Sequence, residues 1–185
     1  MDGELKHSAK EGDVECFITV FEKVSTKWES QPNTILEQRD YNGNTYLHVA
    51  AMFGRHELIG LLTDVSGFYE LIRQTNNEGD TASHVAAKTG HFAVTDLLIR
   101  RGKEAILHQT GLKNGKGNTP LHEALLHNHQ SLVDLLLLHW DAKSSCYVNN
   151  EGKSAFYLSV EAWNVKTFNV MFEAKCWTTS YLDGF

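Results

Sequence analysis

The stretch GNTPLHEALLHNHQSLVDLLLL, Gly117 to Leu138, decides the fold, because its pattern returns on both sides of it. Upstream lie GNTYLHVAAMFGRHELIGLL from Gly43 and GDTASHVAAKTGHFAVTDLLI from Gly79. Downstream is GKSAFYLSVEAWNVKTFNVMF from Gly152, and a worn copy, GELKHSAKEGDVECFITVF, opens at Gly3. Counted from the hydroxyl residue of each copy, Thr45 to Thr81 is 36 residues, Thr81 to Thr119 is 38 and Thr119 to Ser154 is 35, while Gly3 to Thr45 is 42. A near-constant interval with loop insertions marks a repeat array, which builds one quasi-linear domain rather than several.

The letters have physical readings. Thr45, Thr81, Thr119 and Ser154 stand where a hydroxyl can accept a backbone N–H and start a helix. Pro120 follows at the first helical position, where a missing donor costs nothing. Small residues, Ala50-Ala51, Ala86-Ala87, Ala124 and Ser159, let neighbouring units approach closely. Gly12, Gly54, Gly90 and, in the fourth copy, Asn128 then break the first helix in a left-handed conformation. The fifth copy has Trp163 there, which predicts a different turn with Asn164 in the left-handed position. Second helices carry apolar residues at helical spacing: Leu58, Ile59, Leu61, Leu62; then Val94, Leu97, Leu98; then Leu132, Val133, Leu135, Leu136. In the first copy Leu5 and Ala9, then Phe17, Ile18, Val20 and Phe21, fill these places. Lys6, Lys10, Glu11 and Glu15 give its outer side the polar cover of a terminal unit.

The period and Thr119-Pro120-Leu121-His122, with Thr45-Tyr46-Leu47-His48 lacking only the proline, resemble the ankyrin repeat, whose basic length is roughly 33 residues. The resemblance covers about residues 3 to 172. It implies an all-α solenoid of about five helix-turn-helix units with short β-hairpin-like fingers, in a single array over residues 1–185. The units fall at about 1–24, 40–72, 76–107, 114–147 and 149–176. In that family the motif histidine, here His48, His84 and His122, bridges hydrogen bonds between units. NNEGDTASHVAAKTGH and SAFYLSVEA further resemble the ankyrin region of plant accelerated-cell-death-type proteins, in which an ankyrin array precedes a membrane domain and serves defence and cell-death signalling. Here the chain ends in Tyr181-Leu182-Asp183-Gly184-Phe185, which reads as the start of another finger on a truncated or frayed array.

Between the units, Ser25 to Gln38 reads as a polar connector outside the core helices, anchored by Ile35 and Leu36. Phe68-Leu71-Ile72 and Ala105-Ile106-Leu107 each predict an extra helical turn under the next finger. Ser83 replaces the motif leucine and predicts a weak spot. Tyr157 replaces the motif histidine.

Net charge is −6 and the isoelectric point is near 5.9, which argues against nucleic acid or an anionic membrane as the main partner. Cys16, Cys146 and Cys176 are odd in number and show no C-x-x-C spacing, which points away from a disulfide framework and toward a reducing, cytoplasmic setting. No apolar run reaches the roughly 18 residues of a membrane span, and the N-terminus lacks a signal-peptide pattern. Ten histidines invite a metal reading, but His122, His127, His129 and His139 lack the i, i+3 or i+4 spacing that converges on an ion. GLKNGKGNT lacks the G-K-S/T ending of a phosphate-binding loop, and Cys16 falls among core positions. An enzyme and a metal or cofactor protein are therefore the weaker readings.

The leading reading is a protein-binding module. By the resemblance, the variable contact positions of a concave face are Tyr41, Asn42, Asn44, Met52 and Phe53 in unit two. Unit three gives Asn77, Glu78, Asp80, Lys88 and Thr89, and unit four Gly115, Lys116, Asn118, Leu126 and His127. Unit five gives Asn150, Glu151, Lys153, Glu161 and Ala162. Tyr41, Met52 and Phe53 stand out, since aromatic and apolar clusters dominate binding hot spots; the alternative packs Phe53 over a loop such as Ser66 to Leu71. Expected partners are a host signalling protein, a pathogen protein or the membrane domain of a longer version of this chain.

Overall fold

The computed structural model describes residues 1–28, 32–64, 67–104, 111–139 and 147–173. Paired helices account for each copy of the repeat: α1 (Gly3–Glu11) with α2 (Val14–Trp28), α4 (Tyr46–Met52) with α5 (His56–Thr63), α7 (Ala82–Thr89) with α8 (Phe92–Glu104), α9 (Pro120–Leu126) with α10 (Gln130–Leu138), and α11 (Ala155–Glu161) with α12 (Val165–Glu173). Two short helices, α3 (Pro32–Leu36) and α6 (Phe68–Leu71), lie in the connections. First helices stack in the order α1, α4, α7, α9, α11, and second helices α5, α8 and α10 stack behind them. The fold is an all-α repeat solenoid.

Ala50, Ala51, Ala86, Ala87, Ala124 and Ser159 are all fully buried, the close approach that short side chains permit. The stripes of the second helices are core: Leu58, Ile59, Leu62, Val94, Leu98, Leu132, Val133, Leu135 and Leu136 are buried, with Leu61 and Leu97 packed against them. Beneath the fingers, Phe68, Leu71 and Ile72 are buried on α6 as expected. The parallel cluster Ala105-Ile106-Leu107, the two remaining cysteines and the terminal Tyr181 to Phe185 lie outside the described residues.

Cys16 and Ile18, expected among core positions, are exposed, because the buried face of α2 is the one that carries Phe17 and Val24. Two further expectations need correction. Ser25 to Trp28 belong to α2, and Pro32 to Leu36 form α3, so much of the supposed connector is helical. The Thr26 hydroxyl folds back on the carbonyls of Glu22 and Lys23 at 3.0 Å, and Val24 is buried, so the helix continues through a polar sequence. Ile35 and Leu36 do anchor the segment, both within 1% of full burial. Secondly, Trp163 itself is left-handed, at φ +52°. Asn164 is not free to take that role, because its carboxamide oxygen accepts the Thr167 N–H at 3.1 Å and caps α12. A left-handed tryptophan costs roughly 1–2 kcal/mol.

Tyr46, which stands where unit four has Pro120, is fully buried. Its ring meets Phe17 edge-on at 5.9 Å, and its hydroxyl accepts the Asp2 N–H at 3.0 Å, tying the first unit to the second. Burial pushes its phenol up to about 12. Ser83 lies in α7 between α4 and α9 and is 2% exposed, at the position filled by buried Leu47 and Leu121 in the flanking units. Ser83→Leu is therefore expected to raise the melting temperature by about 2–4 °C, the equivalent of roughly 1 kcal/mol in a chain of this size. Calorimetry showing no gain would contradict the core-facing assignment.

Candidate interaction face

Each finger is a turn closed by an Asx side chain from below. Asp40 Oδ1 accepts the N–H groups of Asn42 and Asn44 at 3.0 and 2.9 Å. Asn76 does the same for Glu78 and Asp80, Asn114 for Lys116 and Asn118, and Asn149 for Glu151 and Lys153. This is the local bonding that makes Asp and Asn turn residues. The glycines at the tips, Gly43, Gly79, Gly117 and Gly152, supply the required positive φ.

Successive fingers are joined by a ladder. The N–H groups of Asn77, Gly115 and Asn150 donate to the carbonyls of Asn42, Glu78 and Lys116, each at 3.0 Å. Below them run side-chain rungs: Asn76 to Asn44 at 3.0 Å, Asn114 to Asp80 at 2.7 Å and Asn149 to Asn118 at 2.9 Å. Asn44, Asp80 and Asn118 are thus 3%, 1% and 3% exposed and committed to the scaffold, which withdraws them from the surface expected for partner contact. Gly115 stays exposed, but its N–H is committed to the ladder, and a Cβ there would meet the Glu78 carbonyl oxygen at 2.5 Å.

The motif histidines hold the units from beneath. His48 Nδ1 lies 2.8 Å from the Thr45 hydroxyl and 3.3 Å from the Thr45 nitrogen, and Nε2 lies 2.9 Å from the Asp80 carbonyl of the next unit. Because Nδ1 takes the threonine N–H, Nε2 carries the hydrogen and donates across the junction. His84 repeats this with Thr81 and the carbonyl of Asn118, and His122 with Thr119 and that of Lys153. So in these units the hydroxyl pairs with an imidazole. In the fifth unit Tyr157 offers no ring nitrogen, and the Ser154 hydroxyl instead accepts the Tyr157 N–H at 3.1 Å, the cap expected from sequence. Desolvation by burial lowers the pKa of all three imidazoles, that of His122 to about 4.

A second inter-unit link was not anticipated. Arg55, His91 and His129 each lie against the inter-helix glycine of the preceding unit and reach the carbonyl two residues before it: Lys10, Met52 and Lys88, at 2.8, 3.0 and 3.1 Å. The sequence signal was the basic or imidazole residue directly after Gly54, Gly90 and Asn128.

The remaining expected contact residues are distributed as follows. Tyr41 is 86% exposed, Met52 37% and Phe53 38%. Lys6 Nζ sits 5.3 Å from the Tyr41 ring centroid and Lys10 Nζ 5.3 Å from that of Phe53. These lysines are one turn apart on α1, so a single helix face flanks both rings. Asn42, Asn77, Glu78, Thr89, Lys116, Leu126, His127, Asn150, Glu151, Glu161 and Ala162 are exposed. Lys88 is only partly exposed, bonded to Asp80 at 2.8 Å and Glu78 at 3.0 Å. Burial alone would lower its pKa, but these carboxylates raise it. Lys153 is likewise held by Glu161 at 3.1 Å and Glu151 at 3.3 Å. Among the described residues no group of three or more His, Cys, Asp or Glu could hold a metal ion, and no helix is long and apolar enough to cross a membrane.

A family description for ankyrin repeats in three copies matches residues 5–109, and one for a single ankyrin repeat matches residues 116–150. The chain belongs to the ankyrin-repeat family. Among similar proteins, the nuclear factor NF-kappa-B p105 subunit of Gallus gallus is 27% identical over 140 residues, covering 74% of this chain and 14% of that protein. NF-kappa-B inhibitor alpha of Sus scrofa is 34% identical over 71 residues, 37% of this chain and 23% of that protein. A probable E3 ubiquitin-protein ligase, XBOS32 of Oryza sativa subsp. japonica, is 37% identical over 94 residues, 51% of this chain and 18% of that protein. The chain therefore matches under a quarter of the length of each of these ankyrin relatives. Ankyrin repeats are protein-interaction modules, and the ankyrin array described here is one.

Proposed function

We propose that this ankyrin array is a non-enzymatic module that grips a protein or peptide across its fingers and first helices, in plant defence or cell-death signalling. The exposed Tyr41, Met52 and Phe53, flanked by the α1 lysines, carry the reading. Rigid aromatic and apolar side chains left in solvent on a preformed scaffold are what a partner buries at a hot spot. The alternative for Phe53, packing over the segment that starts at Ser66, finds no support in a ring that lies under Lys10. The similarity to an NF-kappa-B inhibitor, an NF-kappa-B subunit and a probable E3 ubiquitin-protein ligase favours a role in signalling. The plant and membrane-linked version rests on the phrase SAFYLSVEA, residues 154–162. In that version the array regulates or assembles a larger protein, and its partner is that protein's own membrane domain or a second copy.

The test compares the wild-type chain with Tyr41→Ala/Phe53→Ala as bait in plant extract. A protein retained by the first is expected to be lost at least tenfold by the second, with circular dichroism unchanged. Equal retention on the folded variant would remove these side chains from the interface.

A further inference from the structure

At three junctions of the array a basic or imidazole side chain of the later unit finishes the first helix of the earlier one. Arg55 donates to the Lys10 carbonyl near the end of α1, His91 meets that of Met52 on α4, and His129 that of Lys88 on α7. The last carbonyls of a helix have no partner within it, and such a donor satisfies one of them at the negative end of the helix dipole. The fourth junction lacks this link. Asn164 stands at the corresponding place, but its carboxamide is spent on Gln130 and on the Thr167 N–H. Among the described residues no donor reaches the carbonyl of Leu126, which ends α9, or that of Glu161, which ends α11.

The same place is open. A groove of about 320 Å³ is lined by Leu125, Leu126 and Asn128 of unit four and by Leu158, Ala162 and Trp163 of unit five. Trp163 is 89% exposed and takes a φ of +52°, where Gly12, Gly54 and Gly90 stand in earlier units. A bulky side chain in the left-handed region is strained. The fold returns none of that strain, since the indole has no hydrogen-bond or ring partner among the described residues. Uncompensated strain of this kind is a feature of ligand clamps. The carboxylate of Glu161, which also lines the groove, is already held by Lys153 at 3.1 Å, so the site offers carbonyls and a π face rather than a free charge.

We propose that this groove receives an arginine of the partner, whose guanidinium lies on the Trp163 indole and donates to the carbonyls of Leu126 and Glu161, so that the link missing from the array is supplied from outside. Arginine fits because its flat head carries five N–H donors, enough for two carbonyls, and stacks on aromatic rings, of which tryptophan attracts cations best. The inference rests on the finger and first-helix face being the binding surface, since Leu126, Glu161 and Ala162 are contact positions of that face, and it names one residue of what binds there.

The experiment follows the Trp163 indole N–H resonance of the full, isotope-labelled chain during titration with the blocked tripeptides Ala-Arg-Ala and Ala-norleucine-Ala. The arginine peptide is expected to shift that resonance saturably and to bind about fivefold more tightly than the norleucine peptide. Trp163→Gly, which matches Gly12, Gly54 and Gly90, is expected to melt no lower than the wild type and to lose the preference for arginine. An indole resonance that stays in place, equal binding of the two peptides, or an undiminished preference in Trp163→Gly would each overturn the proposal. A plant partner lost on Tyr41→Ala/Phe53→Ala together with any of these results would leave the interaction face standing and remove only the arginine subsite. An intact preference beside a partner that survives Tyr41→Ala/Phe53→Ala would support the subsite and overturn the aromatic hot spot.

Discussion

Lowering the pH from 7 to 5 is expected to destabilise the array sharply. His48, His84 and His122 are fully buried, and each imidazole is held neutral in one tautomer by a threonine on one side and a carbonyl on the other. Desolvation is the main reason their pKa values fall below the usual 6.5. A proton added at Nδ1 would also oppose the threonine N–H that points at it. The unfolded chain has no such restraint and takes up protons below pH 6.5. Folded-state pKa values are depressed, so stability is flat above pH 6.5, falls as the pH drops, and levels off below the folded-state values. For His122, shifted to about 4, the loss at pH 5 is about 2 kcal/mol. His48 and His84 add to it with the same sign. The carboxylates whose pKa is lowered, Asp40 and Asp134, start from 3.8 and lose their contribution only at lower pH. Single domains have about 5–15 kcal/mol to lose. Urea unfolding at pH 7 and pH 5 measures the difference, and His122→Asn should be weaker at pH 7 but show a shallower pH slope. A midpoint that does not move between pH 7 and 5 would rule out the neutral, buried imidazoles.

Gly79→Ala is expected to cost about 3 kcal/mol and to loosen unit three from unit four. Its φ is +76°, and a methyl group would meet the Gly115 backbone nitrogen at 2.5 Å, the atom that donates to Glu78 in the finger ladder. Conformational strain and a backbone collision therefore add, and the collision can be relieved only by opening the rung. Gly152→Ala separates the two causes. Its φ is +73° but nothing lies within 4 Å, so that substitution should cost only the strain, roughly 1 kcal/mol. Similar losses for both variants would mean that the ladder carries no weight.

These predictions draw on features of unequal legibility. The helices, their starts at Thr45, Thr81, Thr119 and Ser154, the glycine turns and the apolar stripes were readable because each depends on residues within one unit, repeated with a known helical period. The role of the motif histidines came instead from the resemblance to the ankyrin repeat, since their bonds cross to the next unit. Trp163 misled because the sequence does not reveal that Asn164 is already engaged in capping α12. Ser25 to Trp28 misled because polar hydroxyls can satisfy themselves on a helix as well as in a loop.

What the sequence determined by itself was the repeat, its period, its helix pairs and most of the residues that face inward, since local periodicity dictates them, Cys16 and Ile18 being the exceptions. Only the tertiary structure decided which finger residues remain for a partner. Asn44, Asp80 and Asn118 look like surface on a single finger and become scaffold when the next finger docks, while Glu123 sits in a motif like any other and becomes a buried acceptor. The finger bonds join residues 31 to 37 apart in the chain and form only when units dock, whereas Glu123 is bonded by Asn114 and Asn118 of its own unit, a contact made by the fold of the finger over α9.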